Sequence, residues 1–149
     1  MPNRRRTKKV ALGLGEATMN GRRKRFSKGA MGGAGLRTFR GIAREWNLTV
    51  AEQLALLGVS AASYDALRAV AQATRDVALS EDLLLRLSYI LGIYHDLHVL
   101  LPGSANDWIR HSNSNSRFGG RTGLEIMMSG IEGMDVVRSH LAAWSRGIN

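Results

Sequence analysis

"WNLTVAEQLALLGVSAASYDALRAV", residues 46–70, is the stretch that decides the fold. Thr49 and Glu52 form a Thr-x-x-Glu capping box, the arrangement that satisfies orphan amide donors at a helix start. Val50, Leu54 and Leu57 give this helix an apolar stripe, and Gly58 ends it. Ser60 is placed to cap a second helix. Two short helices joined at a glycine, with Leu57 and Val59 flanking the turn and Leu67 behind it, match a helix-turn-helix. The turn favours positive φ, where glycine carries no Cβ penalty. The same spacing also fits an ordinary helical hairpin.

In a helix-turn-helix the second helix, "SAASYDALRAV", faces DNA. Base readout draws on Arg, Lys, Asn or Gln near its start. Here the candidates are Ser60, Ala61, Ala62, Ser63, Asp65 and Arg68, the two alanines being able to meet thymine methyls. Tyr64 is expected to pack rather than read. With so few base-reading donors, affinity has to come from the basic N-terminal arm and from dimerisation.

Outward from this core the pattern stays helical. Leu36, Phe39, Ala43 and Trp46 recur at helical spacing upstream. Downstream, "EDLLLRLSYILGIYHDLHVLL" predicts the longest helix, with Glu81 and Asp82 suited to its positive N-terminus. Leu83, Leu84, Leu87, Ile90, Leu91, Tyr94, Leu97, His98 and Leu101 form its apolar face. Pro102-Gly103 stops it, and a domain boundary is expected there. Beyond lie a short helix around Trp108, the polar run "HSNSNS" and the turn Phe118-Gly119-Gly120. Thr122 and Glu125 then form a second capping box, ahead of Leu124, Met127, Met128 and Ile131. A last helix carries Met134, Val137, Leu141 and Trp144 on one side. Strand signals are nearly absent, so the fold class is all-α. The expected division is 1–35 basic arm, 36–101 helix-turn-helix domain and 102–149 small helical domain.

The charge is uneven. The chain has 149 residues and a net charge of +9. Residues 1–28 hold ten Lys/Arg and one acid, Glu16, while residues 29–149 hold eleven of each sign. Arg4, Arg5, Arg6, Arg22, Arg23, Lys24 and Arg25 lead this arm, and the glycine-rich "KGAMGGAG" reads as its flexible linker. Such a segment buries too little apolar surface to offset its ordering entropy. Three readings remain open: nonspecific attachment to nucleic acid through counterion release, a solvated extension with Met19 or Met31 as alternative starts, or a targeting peptide.

Other chemistry is thin. There is no cysteine, hence no disulfide framework or thiolate metal site. No uninterrupted apolar run reaches the roughly 18 residues of a spanning helix, and nothing resembles a secretory signal, so no membrane partner is expected. His95 and His98 lie three apart but lack further ligands, and His98 is expected in the core. "RFGGRTG" lacks the glycine spacing and Lys-Ser/Thr of a nucleotide-binding phosphate loop, leaving only a generic anion nest. No nucleophile–base pair is legible. Neither an enzyme nor a cofactor or metal site is expected.

The tail "WIRHSNSNSRFGGRTGLEIMMSGIEGMDVVRSHLAAW", residues 108–144, resembles the toxin-binding domain of Xre/MbcA/ParS-type antitoxins. The resemblance is carried by Trp108, Ile109, Asn113, Asn115, Phe118, Gly119, Gly120, Leu124, Gly130, Val137, Leu141 and Trp144. Residues 46–70 resemble the helix-turn-helix half of the same family, and together the likeness spans about 36–149. Ser112 and Ser116 depart from it, standing where the family often has proline. The resemblance implies a bacterial, cytoplasmic antitoxin that occludes the active site of a RES-domain, NAD-consuming toxin and autorepresses its operon. Its expected partners are that toxin, operator DNA and a second copy of the chain. Arg117, Phe118 and Arg121 are then candidate toxin contacts, Phe118 being either an aromatic anchor or part of the small domain's own core. The end, "WSRGIN", is a candidate plug for the toxin cleft through Trp144, Arg146 and Asn149. The alternative is a stand-alone basic DNA-binding regulator or architectural protein.

Overall fold

The structure, a computed structural model, describes residues 28–73 and 77–147. The described residues form seven helices: α1 (Lys28–Glu45), α2 (Val50–Leu57), α3 (Ala61–Gln72), α4 (Glu81–Leu100), α5 (Ala105–Trp108), α6 (Gly123–Met128) and α7 (Ile131–Ser145). Among them the only extended pairing is an isolated bridge between Ser112 and Thr122. The fold is all-helical.

The capping chemistry of α2 and α3 is as the sequence spacing requires. The Thr49 hydroxyl accepts from the Glu52 amide at 3.1 Å, and the Glu52 carboxylate accepts from the Thr49 amide at 2.8 Å. A cap of this kind contributes about 1 kcal/mol. Gly58 adopts φ 65°, and its N–H closes the helix on the Leu54 carbonyl at 2.8 Å. Ser60 then caps α3 through the Ser63 amide. The two helices turn through 89°, the geometry of a helix-turn-helix rather than an antiparallel hairpin. Leu57 and Leu67 lock the corner, each 1 % exposed.

Helix α1 begins at Lys28, eight residues before the start expected at Leu36, so the whole glycine-rich stretch read as a flexible linker is helical. The cause is tertiary. Gly32 is buried, and a Cβ there would lie 2.8 Å from the Val77 carbonyl oxygen and 2.9 Å from the Leu79 side chain. Glycine lets the helix approach that segment, and packing overrides its weak intrinsic helix propensity.

Pro102-Gly103 ends α4, but the buried side chains on either side of it form one continuous core. The chain doubles back so that α7 runs against α4, and α6 packs on both α7 and α2. Leu83, Leu87, Ile90, Ile93 and Leu97 of α4 meet this core along with Ile109, Met127, Met134, Val137 and Leu141. Residues 102–147 thus have no separate core. Ile93, missing from the face expected of α4, is fully buried. By length and composition α4 could cross a membrane; its apolar face is covered here by α1 and α7.

Polar pairs fix the register of α4 on α7. The Tyr89 hydroxyl donates to Asp135 at 3.0 Å, and Arg138 Nε donates to Asp96 at 3.1 Å. Gly92 makes room for the Arg138 guanidinium, which a Cβ would meet at 1.8 Å. Gly133 does the same for α6: its Cβ would fall 1.9 Å from the Ile126 carbonyl oxygen.

Candidate functional site

Two surfaces carry the residues singled out by sequence. The first is the outer side of the helix-turn-helix. Ala61, Ala62, Asp65 and Arg68 of α3 are exposed. Ser60 and Ser63 are occupied with each other, the Ser60 hydroxyl donating to that of Ser63 at 3.2 Å while it caps the helix. Tyr64 turns inward, as expected, and its hydroxyl donates to the Gln53 side chain. Burial pushes the Tyr64 phenol above its ordinary pKa. The Arg68 guanidinium sits 5.9 Å from the Tyr64 ring centroid.

Beside α3 lies an open groove of about 560 Å³, lined by α1, the α1–α2 turn, α2 and α3. Arg40 and Arg44 come from α1 and Arg68 from α3; Asn47, Thr49, Gln53 and Tyr64 complete the polar wall. Asn47 has φ 51°, a left-handed conformation that asparagine tolerates well at the end of a helix.

The second surface is built on α5, the 109–122 loop and α7. Trp108 and His140 stack with ring centroids 6.2 Å apart and planes 17° apart. Trp144 lies one turn further along α7, 6.3 Å from His140. Trp108, His140 and Trp144 are all half-buried, and Arg117, Arg121 and Arg146 are exposed. Burial among the rings, and secondarily the Arg117 charge, lowers the His140 pKa below its ordinary value.

Phe118 is not part of that exposed row. It is fully buried, edge-on to Trp108 at 6.0 Å and to His140 at 4.9 Å. Of the two roles expected for it, the structure selects core closure over partner anchor. The loop achieves this without the family's prolines. Asn113 Oδ1 accepts from the Asn115 amide at 2.8 Å, and Asn115 Oδ1 accepts from the Arg117 amide at 3.0 Å. These Asx-type turns lead into Gly119 and Gly120 at φ 57° and 81°. This folding uses part of the expected anion nest's donors: the Arg117 and Phe118 amides bond Asn115, and that of Arg121 bonds the Phe118 carbonyl. Thr122 caps α6 as expected, but Glu125 meets the Thr122 hydroxyl rather than its amide.

His98, expected in the core, is half-exposed. Its Nδ1 lies 2.9 Å from the Tyr94 carbonyl, its ring lies against that of Tyr94 at 4.1 Å, tilted by 39°, and Nε2 is 3.8 Å from Glu45. His95 lies instead beside Asp96, at 3.5 Å. Among the described residues no group of three or more His, Asp or Glu could hold a metal. Arg4, Arg5, Arg6, Arg22, Arg23, Lys24, Arg25 and Asn149 lie outside the described residues.

Three residues escaped the sequence reading. Trp108 and His140 were not read as surface residues, although His140 stands four before Trp144 and so shares its face of α7. Arg110 was passed over entirely. Its Nε donates to the Trp46 carbonyl at 2.9 Å and its Nη2 to that of Asn47 at 2.7 Å, closing the end of α1. No spacing rule connects residues so far apart in the chain.

A corner of 89° between two short capped helices, packed on α1 and α4 with one side of the second helix exposed, defines a helix-turn-helix. Residues 25–92 match the family model described as the antitoxin Xre-like helix-turn-helix domain. The match starts within the segment expected to be flexible and ends inside α4. No curated protein and no solved structure matches the chain.

Proposed function

We propose that this protein is the antitoxin of a type II toxin–antitoxin system: a binder and repressor that catalyses no reaction. The Xre-like domain supports the regulatory half of this reading. In it α3 engages operator DNA, as a dimer on paired half-sites. The partner is a RES-domain toxin, as the tail's resemblance implies, and its NAD-consuming site is the surface to be occluded.

The observation that carries the toxin-binding half is the half-buried row Trp108–His140–Trp144 bordered by exposed Arg117, Arg121 and Arg146. Trp and Arg are the residues enriched where binding energy concentrates, and rings already held by packing lose little entropy on docking. Trp144 and Arg146 remain contacts in this reading, with Asn149 beyond them as part of the plug. Trp108 and His140 take the place first given to Phe118.

Co-expression of the full chain with the product of the neighbouring toxin gene tests this. The intact chain is expected to co-purify with the toxin, restore growth and preserve cellular NAD. Trp144→Ala and Arg146→Ala are expected to weaken capture while the chain stays folded. Failure of the intact chain to bind would overturn the reading, and the stand-alone DNA-binding regulator driven by the basic arm would replace it.

A further inference from the structure

We propose that the groove between α1, α2 and α3 seats the phosphate backbone of duplex DNA, with Arg40, Arg44 and Arg68 as its cationic lining. The proposal rests on the helix-turn-helix being a DNA-binding element and names where on it the affinity arises.

Charge makes the first argument. Three guanidinium groups from two helices line one trough, and no carboxylate does. Among the described residues none of the three forms an ion pair. Three acids adjoin lining residues in sequence; Asp65 is exposed on α3 outside the lining, and the other two are engaged elsewhere. Glu45 accepts from the Tyr94 hydroxyl at 2.6 Å, and Glu52 is held by Arg110 at 2.9 Å. Positive charge left without local partners in an open trough suits a polyanion, whose condensed counterions such groups release on binding.

Shape and neutral donors make the second. The trough is open, so it admits a continuous strand more readily than it encloses a small molecule. Asn47 on its wall carries a side-chain amide of the kind that bonds phosphate oxygens, while that of Gln53 is used on the Leu48 carbonyl at 3.1 Å. Val50, 56 % exposed at the start of α2, forms an apolar part of the lining, suited to a sugar edge.

The third comes from what α3 lacks. The exposed residues of its first two turns, Ala61, Ala62 and Asp65, offer no base-reading donor, Asp65 opposes phosphate, and the exposed Gln72 stands at the far end of the helix. Arg68, the cation among the candidate readers, belongs to the groove. Sequence preference is therefore shallow in this element, and backbone contacts dominate its affinity.

Fluorescence anisotropy with the full chain tests this on two duplexes, one carrying the chain's own promoter and one scrambled, over a series of salt concentrations. Arg40→Gln, Arg44→Gln and Arg68→Gln are each expected to weaken both duplexes by the same factor. Each should lower the slope of log K against log salt by about one. Asp65→Asn should strengthen both. Circular dichroism and urea midpoints establish that each variant is folded. If the parent chain binds DNA and the three arginine variants keep its affinity and slope, the groove proposal is overturned and the DNA-binding reading stands. If those variants instead lose toxin capture with DNA binding intact, the groove belongs to a protein partner and the proposal is again overturned. A parent chain that binds neither duplex overturns the DNA-binding reading itself.

Discussion

The guanidinium of Arg110 grips both carboxylate oxygens of Glu52, at 3.1 and 2.9 Å, across 58 residues of sequence. Glu52 belongs to the capping box of α2, and Arg110 also holds two carbonyls at the end of α1. One side chain from the tail thus ties down the corner from which the helix-turn-helix starts. Arg110→Met is expected to cost about 1–2 kcal/mol, because the pair is only partly shielded from water. Urea denaturation should show a lower midpoint with an unchanged m-value.

The same contact sets an acid limit. Hydrogen bonding by Arg110, offset in part by burial and reinforced by Thr49, holds the Glu52 carboxyl below its ordinary value of 4.5. A carboxyl depressed in the folded state stabilises the fold fully above its unfolded pKa, and that stability is lost as pH falls through the folded one. Stability measured downward from pH 5 should fall in the parent chain and fall less in Glu52→Gln.

His140 adds a limit nearer neutrality. Its imidazole is depressed in the fold, so below the ordinary value of 6.5 the unfolded chain takes up a proton that the folded chain resists. Stability therefore drops as pH falls from 6.5 toward the folded pKa. In His140→Phe the loss over that window should diminish.

Two helical glycines should respond differently to alanine. At Gly133 the new Cβ meets the Ile126 carbonyl oxygen and carbon, at 1.9 and 2.9 Å, backbone that cannot swing aside. Gly133→Ala is expected to cost about 2–4 kcal/mol. At Gly92 the obstacle is the Arg138 guanidinium, the end of a flexible chain. Gly92→Ala should displace it from Asp96 and come out near neutral, since alanine returns about 1 kcal/mol of helix propensity. Thermal midpoints of the pair would show the difference directly.

Phe118→Ala should behave as a core deletion, costing about 3–5 kcal/mol. Arg117→Ala and Arg121→Ala, both exposed, should leave the urea midpoint nearly unchanged while weakening toxin capture. Phe118 failing to affect stability would contradict its burial beneath Trp108 and His140.

What was legible in the sequence is what local chemistry decides. Thr49, Glu52, Gly58 and Ser60 announce their caps and turn within a few residues, and the apolar stripes of α4 and α7 follow helical period. What was hidden depends on residues distant in the chain. The glycines before Leu36 read as linker because nothing nearby shows that Val77 and Leu79 will pack against Gly32. Pro102-Gly103 reads as a boundary because the return of α7 onto α4 is a tertiary event. Phe118 stayed ambiguous for the same reason, since an aromatic beside two glycines suits a core or a partner equally well. The arginines of the groove are scattered over α1 and α3, and only the helix-turn-helix corner brings them together.

The continuous core has a consequence for the molecule's lifetime. Side chains of α1 and α7 are buried in a single cluster, so force applied at either end of the chain dismantles the same packing. An unfolding machine that engages the tail would erase the DNA-facing corner in the same event, and one that starts at the other end would erase the aromatic row. Both surfaces then share one clock: neither can outlast the other, and a cell that clears this protein loses both at once.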